Sequence, residues 1–374
     1  MRVGIDTFAA HRKKTGIGTY ISSLVGGLLK IDTQNEYLLF VSHENEVLFP
    51  DSTPNCRKVF GPRWIDNIKL RVLWEHTLLP RKLNLERVDV LHGPTFVTPL
   101  FAKQPGIITI HDMTWFTHPN EHIPLKRAYY QRLIPVAARR ARRIIAITES
   151  TRQDVLRILG LPEEKVTVVH YGVDRIFRPV PDERLLAQTR QRYSLTSPFV
   201  LFVGMIEPRK NLPRLIEAFG QVKNAGYEGV LLLAGPPGWG YAEAAAKVEK
   251  LGLGKWVRFT GPVPHHELPN LFCAADLFAY PSLYEGFGLP PLEALACGTP
   301  VVTSNISSLP EVVGDAALLV DPLDVNGLAQ SMQRVLADNQ LRHQMRERGF
   351  KQAQRFTWEE NARRTLEIYN QTQW

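Results

Sequence analysis

The feature that most constrains the fold is a repeated alternation of short apolar runs with longer amphipathic stretches along the 374 residues. The apolar runs have the length and composition of buried strands, and the stretches between them have helical periodicity. This alternation is typical of βαβ units, in which helices cover a parallel sheet. It occurs in two series, so we predict an α/β protein with two doubly wound, Rossmann-like domains.

A Pro-rich, charged segment around Phe177–Ser197 separates the two series. The predicted strands of the first series are Val3–Asp6, Glu36–Val41, Val88–Leu91, Ile107–Ile110, Arg143–Ile147 and Val166–Val169. Those of the second series are Phe199–Val203, Val230–Ala234, Val257–Thr260, Leu277–Tyr280, Thr299–Thr303 and Ala317–Val320. Helices are predicted between them, among others at Lys126–Arg142, Asn211–Ala225 and Gly327–Ala337.

The chain is too long for one ordinary hydrophobic core, which agrees with two domains. We expect an N-terminal domain over residues 1–178, a C-terminal domain over 179–355 and a last segment over 356–374. Ligands of doubly wound sheets bind beyond the carboxyl ends of the strands. The two domains are therefore expected to face each other across a ligand-binding cleft.

Charge is distributed unevenly along the chain. The net charge is +8, but residues 1–180 hold 26 Lys and Arg against 17 Asp and Glu, whereas the remainder is close to neutral. Such an asymmetry suggests an anionic partner for the first half: a phosphate-bearing substrate, an acidic membrane surface or nucleic acid. No recognition-helix pattern or aromatic-interleaved basic repeat is present, so we do not expect nucleic acid.

The three cysteines, Cys56, Cys273 and Cys297, are scattered and have no CxxC spacing. We expect reduced thiols, with neither a disulfide framework nor a zinc site. The sequence also lacks a run of eighteen apolar residues and the pattern of a signal peptide. These features predict a cytoplasmic protein.

The stretch SLYEGFGLPPLEALACGTPVV, from Ser282 to Val302, contains a glycine-rich turn. Gly286 and Gly288 allow the backbone to approach a ligand closely. A short helix predicted at Pro291–Cys297 would present its N-terminus beside this turn. Such an arrangement binds anions.

Two glutamates flank this turn. Glu285 precedes it, and Glu293 is predicted in the first helical turn, so both can face one cavity. A carboxylate suits the paired hydroxyls of a sugar, because it accepts two hydrogen bonds. Taken singly, Glu285 can also be read as a solvated loop residue and Glu293 as a helix-dipole residue.

A second motif, EPRKN, follows the strand that ends at Val203. It places Arg209 and Lys210 before a predicted helix N-terminus, and two adjacent cations there suit a diphosphate. The alternative is a solvated basic loop.

Two further motifs lie in the first half. The segment HRKKTGIGTY, from His11 to Tyr20, places Gly16 and Gly18 on a loop that could approach a phosphate or sugar, although it is a weak dinucleotide fingerprint. The segment ITIHDMTWF delivers His111 and Asp112 at a strand end. We find no nucleophile elbow, HExxH motif or metal-spaced cluster, so no metal is expected.

Together these motifs resemble the family 4 retaining glycosyltransferases of the GT-B fold, over nearly the whole chain. IHDMTWF and VVHYGVD are most similar to bacterial enzymes of surface-polysaccharide synthesis, many of them mannosyltransferases. The resemblance implies metal-independent transfer of a hexose from a GDP- or UDP-linked sugar, by front-face attack and without a cofactor. It also implies a glycan or lipid-linked acceptor bound by the N-terminal domain, and a C-terminal helix that crosses back to that domain.

The resemblance also assigns roles to single residues. Glu285 would hold the donor sugar, Glu293 the ribose, and Arg209 and Lys210 the diphosphate, while His111 would contact the sugar near the reacting carbon. The catalytic residues implied are His111, Glu285, Arg209 and Lys210. The donor-binding residues implied are Gly16, Gly18, Arg209, Lys210, Gly286, Phe287, Gly288, Leu289 and Glu293.

One departure concerns the residue after Gly204, where several family members carry an arginine and this chain carries Met205. Three alternatives to a transferase stay open at this point. They are a nucleotide-sugar epimerase, a phosphorylase of the same fold, and a non-catalytic protein that binds a nucleotide sugar or another anion.

The segment Leu125–Ile145 contains four arginines, Arg139, Arg140, Arg142 and Arg143. Helical spacing places its tyrosines and aliphatic residues near one face, with the arginines at the border. One interpretation is a surface helix packed on the sheet. The other is peripheral docking on the inner face of an anionic plasma membrane.

Overall fold

A computed structural model describes residues 1–10, 16–51 and 53–372. The chain divides into two compact units. The first unit comprises Met1–Gly172 together with Trp358–Trp374, and the second comprises Val173–Thr357. The boundaries predicted from the sequence, after residues 178 and 355, lie close to these.

The strands of the first unit are β1 Arg2–Asp6, β2 Glu36–Val41, β3 Cys56–Phe60, β4 Val90–Gly93, β5 Gly106–Ile110, β6 Arg143–Ala146 and β7 Val166–Val168. Those of the second unit are β8 Phe199–Val203, β9 Val230–Ala234, β10 Val257–Gly261, β11 Leu277–Tyr280, β12 Val301–Ser304 and β13 Ala317–Val320.

The α-helices in the described residues are α1 Gly16–Ile31, α2 Ile68–Thr77, α3 Leu79–Leu85, α4 Thr114–Thr117, α5 Pro124–Arg140, α6 Glu149–Leu159, α7 Glu183–Arg192, α8 Leu212–Asn224, α9 Tyr241–Lys250, α10 Leu268–Ala274, α11 Leu289–Cys297, α12 Leu309–Val313, α13 Val325–Ala337, α14 Asn339–Ala353 and α15 Trp358–Gln371.

Each unit is built on a parallel sheet. The strand order is β3-β2-β1-β4-β5-β6-β7 in the first unit and β10-β9-β8-β11-β12-β13 in the second. The central strands are almost wholly apolar because helices cover both faces of a doubly wound sheet. The prediction of two parallel α/β sheets is confirmed.

Strand β3 was not predicted from the sequence. Arg57 and Lys58 interrupt its apolar character, and its buried residues are Cys56 and Val59. It pairs with β2 alone, with Leu38 opposite Arg57, and so lies at the edge of the sheet. An edge strand can carry charged side chains because part of it faces water. It therefore need not have the continuous apolar run of a central strand, which is buried on both faces.

The last helix, α15, belongs to the first unit, as predicted. Tyr369 of α15 and His92 of β4 are hydrogen-bonded at 2.7 Å, and Asn361 Nδ2 donates to the carbonyl of His170 at 2.7 Å. Its close packing on α1 requires glycine at position 27, where an added Cβ would lie 2.8 Å from the Cβ of Ala362.

One face of helix α5 packs inward, although some apolar residues of the helix are exposed. Ile134 is fully buried in the core, and the ring of Tyr130 stacks on Trp115 with centroids 4.4 Å apart. Arg140, the last residue of the helix, and Arg142, just after it, are exposed. This is the packing expected of a surface helix on a sheet.

No helix in the described part of the chain is long and apolar enough to cross a bilayer.

Candidate functional site

The EPRKN motif forms a short turn after β8 in the second unit. Residues Pro208–Lys210 make one 3₁₀ turn, and Asn211 follows in a left-handed conformation with φ of 60°. Asn211 is 2% exposed, and its Nδ2 donates to the carbonyls of Pro281 and Pro322 at 3.0 and 2.7 Å. Asparagine tolerates this backbone conformation. Its two hydrogen bonds hold the turn against the loops after β11 and β13.

Glu285 is bound by both cations of this turn. Lys210 Nζ donates to Glu285 Oε1 at 2.6 Å, and Arg209 Nη1 donates to Glu285 Oε2 at 3.1 Å. Lys210 also donates to the hydroxyl of Tyr280 at 2.6 Å, and Arg209 to Glu207 Oε2 at 3.0 Å. The structure therefore brings together three residues that the sequence predicted as one site.

Burial distinguishes this cluster from a solvated loop. Glu285 is 8% exposed and Lys210 is 7% exposed, so neither alternative interpretation of these two residues holds. Burial alone would raise the pKa of Glu285. The positive charges of Lys210 and Arg209 outweigh burial and lower that pKa to about 2. Glu285 is therefore an ionised acceptor across the physiological pH range.

The residues after Glu285 form a tight turn held by two serines. Ser308 Oγ donates to the carbonyls of Glu285 and Phe287, and the Glu285 amide donates to Ser307 Oγ at 3.1 Å. Phe287 is buried. Gly288 has φ of 101° and lies against Leu309, whose Cδ2 would be 2.8 Å from an added Cβ. Only glycine fits this position, because the space and the backbone conformation both exclude a side chain.

Helix α11 begins at Leu289, two residues earlier than predicted. Glu293 consequently lies in the second helical turn, and the prediction of the first turn is wrong. The error arises because Pro291 was taken as the first helical residue, whereas Pro290 and Pro291 both lie in the first turn. Glu293 is half-buried.

His111 lies directly after β5 in the first unit, as predicted, and is 4% exposed. Its Nε2 lies 2.7 Å from the carbonyl of Pro94, which can only accept, so Nε2 carries the proton. Nδ1 then accepts a hydrogen bond from the hydroxyl of Tyr171. Burial lowers the pKa of His111 to about 4, so the imidazole is neutral near pH 7.

The carboxylate of Asp112 raises the pKa of His111 through its charge, against the larger effect of burial. Its Oδ1 accepts hydrogen bonds from the amide and the hydroxyl of Thr114, at 2.9 and 2.6 Å, and so fixes the start of α4. Tyr20 contacts His111 edge-on, with ring centroids 5.2 Å apart, and its hydroxyl lies 2.9 Å from Thr109 Oγ1.

Gly16 and Gly18 lie in the first turn of α1. The prediction of a glycine loop at these two positions is wrong, because residues 16–20 are already helical. His11 to Thr15, the rest of that motif, lie outside the described residues.

The sequence analysis did not identify the two tyrosines that form hydrogen bonds with Lys210 and His111. Tyr280 ends β11 and holds Lys210, and Tyr171 holds His111. Tyr280 directly precedes the PSLYEGFG loop, so its place at a strand end was the available signal. Tyr171 lies in VVHYGVD and had no such signal. Met205, where several family members have arginine, is 44% exposed.

Among the residues that the structure describes, no group of three or more His, Cys, Asp or Glu side chains is arranged to hold a metal ion.

Comparisons with known proteins agree with this arrangement. Residues 15–176 match the model of Glycosyltransferase Family 4, and residues 188–352 match that of Glycosyl transferases group 1. The two matches meet near the boundary between the two structural units.

Two curated relatives come from Escherichia coli. The chain is 34% identical to the O-antigen chain mannosyltransferase B over 75% of its own length and 74% of that protein. It is 30% identical to the serotype-specific mannosyltransferase WbdA over 72% of its own length, but it spans only 34% of WbdA.

Among solved structures, HepE from Anabaena in complex with UDP superposes with a TM-score of 0.77, at 18% identity, and the match covers 99% of this chain and 100% of HepE. This similarity establishes the fold. The identity to the mannosyltransferases and the two model matches establish the family. The chain belongs to the family 4, group 1 glycosyltransferases of the GT-B fold.

Proposed function

We propose that this glycosyltransferase moves a hexose, mannose, from a nucleoside-diphosphate sugar to a glycan or lipid-linked acceptor, with retention at the anomeric carbon. The product would be a surface polysaccharide. The names of the two Escherichia coli relatives support mannose and a polysaccharide product. The observation that carries the donor assignment is the buried cluster of Arg209, Lys210 and Glu285.

The cluster suits a reaction in which a diphosphate departs. Departure leaves negative charge on the phosphate, and fixed cations stabilise that charge more in the transition state than in the ground state. In this proposal Arg209 and Lys210 bind the diphosphate. Both are already held by Glu285, so they need little reorganisation when the donor binds.

Glu285 is proposed to orient the hydroxyls of the donor hexose. With a pKa of about 2 it remains a carboxylate, so it can accept hydrogen bonds and cannot donate a proton. Its two ionic partners also make it a poor nucleophile, because their charges stabilise the free carboxylate. This supports front-face attack assisted by the leaving phosphate.

Glu293 is proposed to bind the ribose, and the turn at Gly286–Gly288 to contribute backbone amides to the phosphate. Pro290 and Pro291 have no N–H, so the amide donors at the start of α11 come from Gly288 and Leu289. His111 is proposed as a neutral residue that contacts the sugar. Its role as a proton acceptor is disfavoured by burial and by the two hydrogen bonds of its ring.

A thermal-shift screen tests the donor. GDP-mannose, UDP-glucose and UDP-GlcNAc are compared at equal concentration, each beside its bare nucleotide. The true donor raises the melting temperature most, since a ligand that binds only the folded state stabilises it by mass action. If no nucleotide sugar stabilises the protein, the donor proposal is wrong. Release of the sugar without an acceptor would favour an epimerase. A requirement for phosphate would favour a phosphorylase.

We also propose that the protein works in the cytoplasm and contacts an anionic membrane through the end of α5. Arg139, Arg140 and Arg142 are exposed there. Arg140 and Arg142 line a cavity of about 1210 Å³ together with Lys103 and Lys165. Near an anionic surface each such cation contributes about 1 kcal/mol.

A further inference from the structure

Two cysteines of the second unit lie beside each other, although 24 residues separate them in sequence. Cys273 is in α10 and Cys297 ends α11. Cys273 Sγ lies 3.5 Å from the carbonyl oxygen of Cys297 and 3.5 Å from that of Arg178. Both are free thiols in the structure, as the sequence predicted.

The two thiols differ in access. Cys273 is partly exposed, whereas Cys297 is fully buried. Both line a cavity of about 700 Å³, together with Arg190 and Arg346. A small, uncharged oxidant can therefore reach Cys273 from solvent.

They also differ in acidity. The neighbouring thiol of Cys297 lowers the pKa of Cys273 against the opposing effect of burial, and the amide of Val180 and the charge of Arg346 also lower it. Burial raises the pKa of Cys297, and the neighbouring Cys273 adds to that effect. A thiolate that reacts first and a thiol that reacts second are therefore held side by side.

We propose that Cys273 and Cys297 form an oxidation site at which a hydroperoxide converts the two thiols into an intramolecular disulfide. The Cys273 thiolate attacks one peroxide oxygen, so that an S–O bond forms, the O–O bond breaks and hydroxide leaves. The sulfur of Cys297 then attacks Cys273, the S–S bond forms, and the sulfenic oxygen leaves as water with the proton of Cys297. Two thiols and one hydrogen peroxide give one disulfide and two waters.

The third cysteine provides an internal control. Cys56 lies in β3 of the first unit, is 2% exposed, and has a pKa that burial raises to about 11. Cys56 should therefore react at least about tenfold more slowly than Cys273, because the thiolate is the nucleophile.

The test exposes the folded full-length protein to hydrogen peroxide, removes the peroxide and counts thiols after denaturation. The expected result is a fall from three thiols to one, restored by dithiothreitol, with the peptides of Cys273 and Cys297 cross-linked in peptide mapping. Cys56→Ser should form the disulfide at the same rate. Cys297→Ser should stop at a sulfenic acid on Cys273, which dimedone traps.

The proposal is overturned if all three thiols survive peroxide that fully oxidises glutathione under the same conditions. It is equally overturned if the disulfide joins two chains, or if Cys297→Ser shows no dimedone label at Cys273.

Discussion

Lys210 Nζ and Glu285 Oε1 lie 2.6 Å apart, and the side chain of each residue is 9% exposed. Removal of one partner from a buried ion pair leaves an uncompensated charge, which typically costs about 3–5 kcal/mol. From the sequence alone, Lys210→Ala would be expected to weaken ligand binding and to leave the fold intact. The burial of the pair predicts a loss of stability as well.

We therefore expect Lys210→Met to lower the free energy of unfolding by about 3–5 kcal/mol. This loss should be smaller if Arg209 still pairs with Glu285 in the variant. The double variant Lys210→Met/Glu285→Gln should recover part of this loss, because the buried charge is gone. Urea unfolding of these two variants and of the single variant Glu285→Gln measures the coupling. Lys255→Met, at an exposed lysine, is the control and should stay within about 0.5 kcal/mol. Strictly additive losses would show that the pair is not coupled.

Stability should fall in acid because of Glu285. Its pKa is about 2 in the folded protein, below the ordinary value of 4.5, so the unfolded chain binds the proton more readily. The stabilisation is complete above about pH 4.5 and is lost as the pH falls towards 2, and it amounts to about 3 kcal/mol. Urea unfolding of the wild type and of Glu285→Gln between pH 6 and 3 tests this. The variant should show the shallower dependence, and identical slopes would contradict the prediction.

Substitutions of Glu285 and Glu293 should have different effects on ligand binding. Glu285→Gln is expected to reduce turnover far more than the affinity for the bare nucleoside diphosphate, because Glu285 is assigned to the sugar. Glu293→Gln should weaken the bare nucleotide, because Glu293 is assigned to the ribose. Arg209→Ala should weaken the nucleotide at least about tenfold through the loss of a charged hydrogen bond. Calorimetric titration of GDP and UDP measures all three, and the opposite pattern in the glutamate variants would exchange their roles.

Transfer should proceed without a divalent metal, since the cations of the site are Arg209 and Lys210. Activity measured in excess EDTA is expected to equal that in EDTA with added magnesium. Loss of activity in EDTA, restored by magnesium or manganese, would show that a metal neutralises the diphosphate.

Membrane contact should depend on the end of α5 and on salt. Three arginines near an anionic surface contribute about 3 kcal/mol, so Arg139→Glu/Arg140→Glu/Arg142→Glu should bind phosphatidylglycerol vesicles at least about a hundredfold more weakly than the wild type. Screening should weaken the wild type at high salt. Lys30→Glu/Arg81→Glu/Arg157→Glu carries the same charge change at exposed residues of the same unit and should bind nearly as the wild type. The wild type is also sedimented with neutral vesicles. Equal pelleting with neutral and with phosphatidylglycerol vesicles would rule out the proposed contact.

Much of the architecture is written in local patterns. The central strands were predicted within two residues at either end, since a buried parallel strand is a continuous apolar run between turns. Strand β3 was not predicted because, at the edge of the sheet, it contains the charged residues Arg57 and Lys58. The start of α11 was misplaced because proline is compatible with more than one position in a first helical turn.

The sequence by itself determined the two parallel sheets and the residues that follow their strands, because periodicity and glycine turns are local properties of the chain. Only the tertiary structure decided that Arg209 and Lys210 share the carboxylate of Glu285, which lies 75 residues from Lys210. It also decided that Tyr280 and Tyr171 hold Lys210 and His111, and that Cys273 touches Cys297. Burial and the partners of a charge arise from packing between distant segments, and no local pattern encodes them.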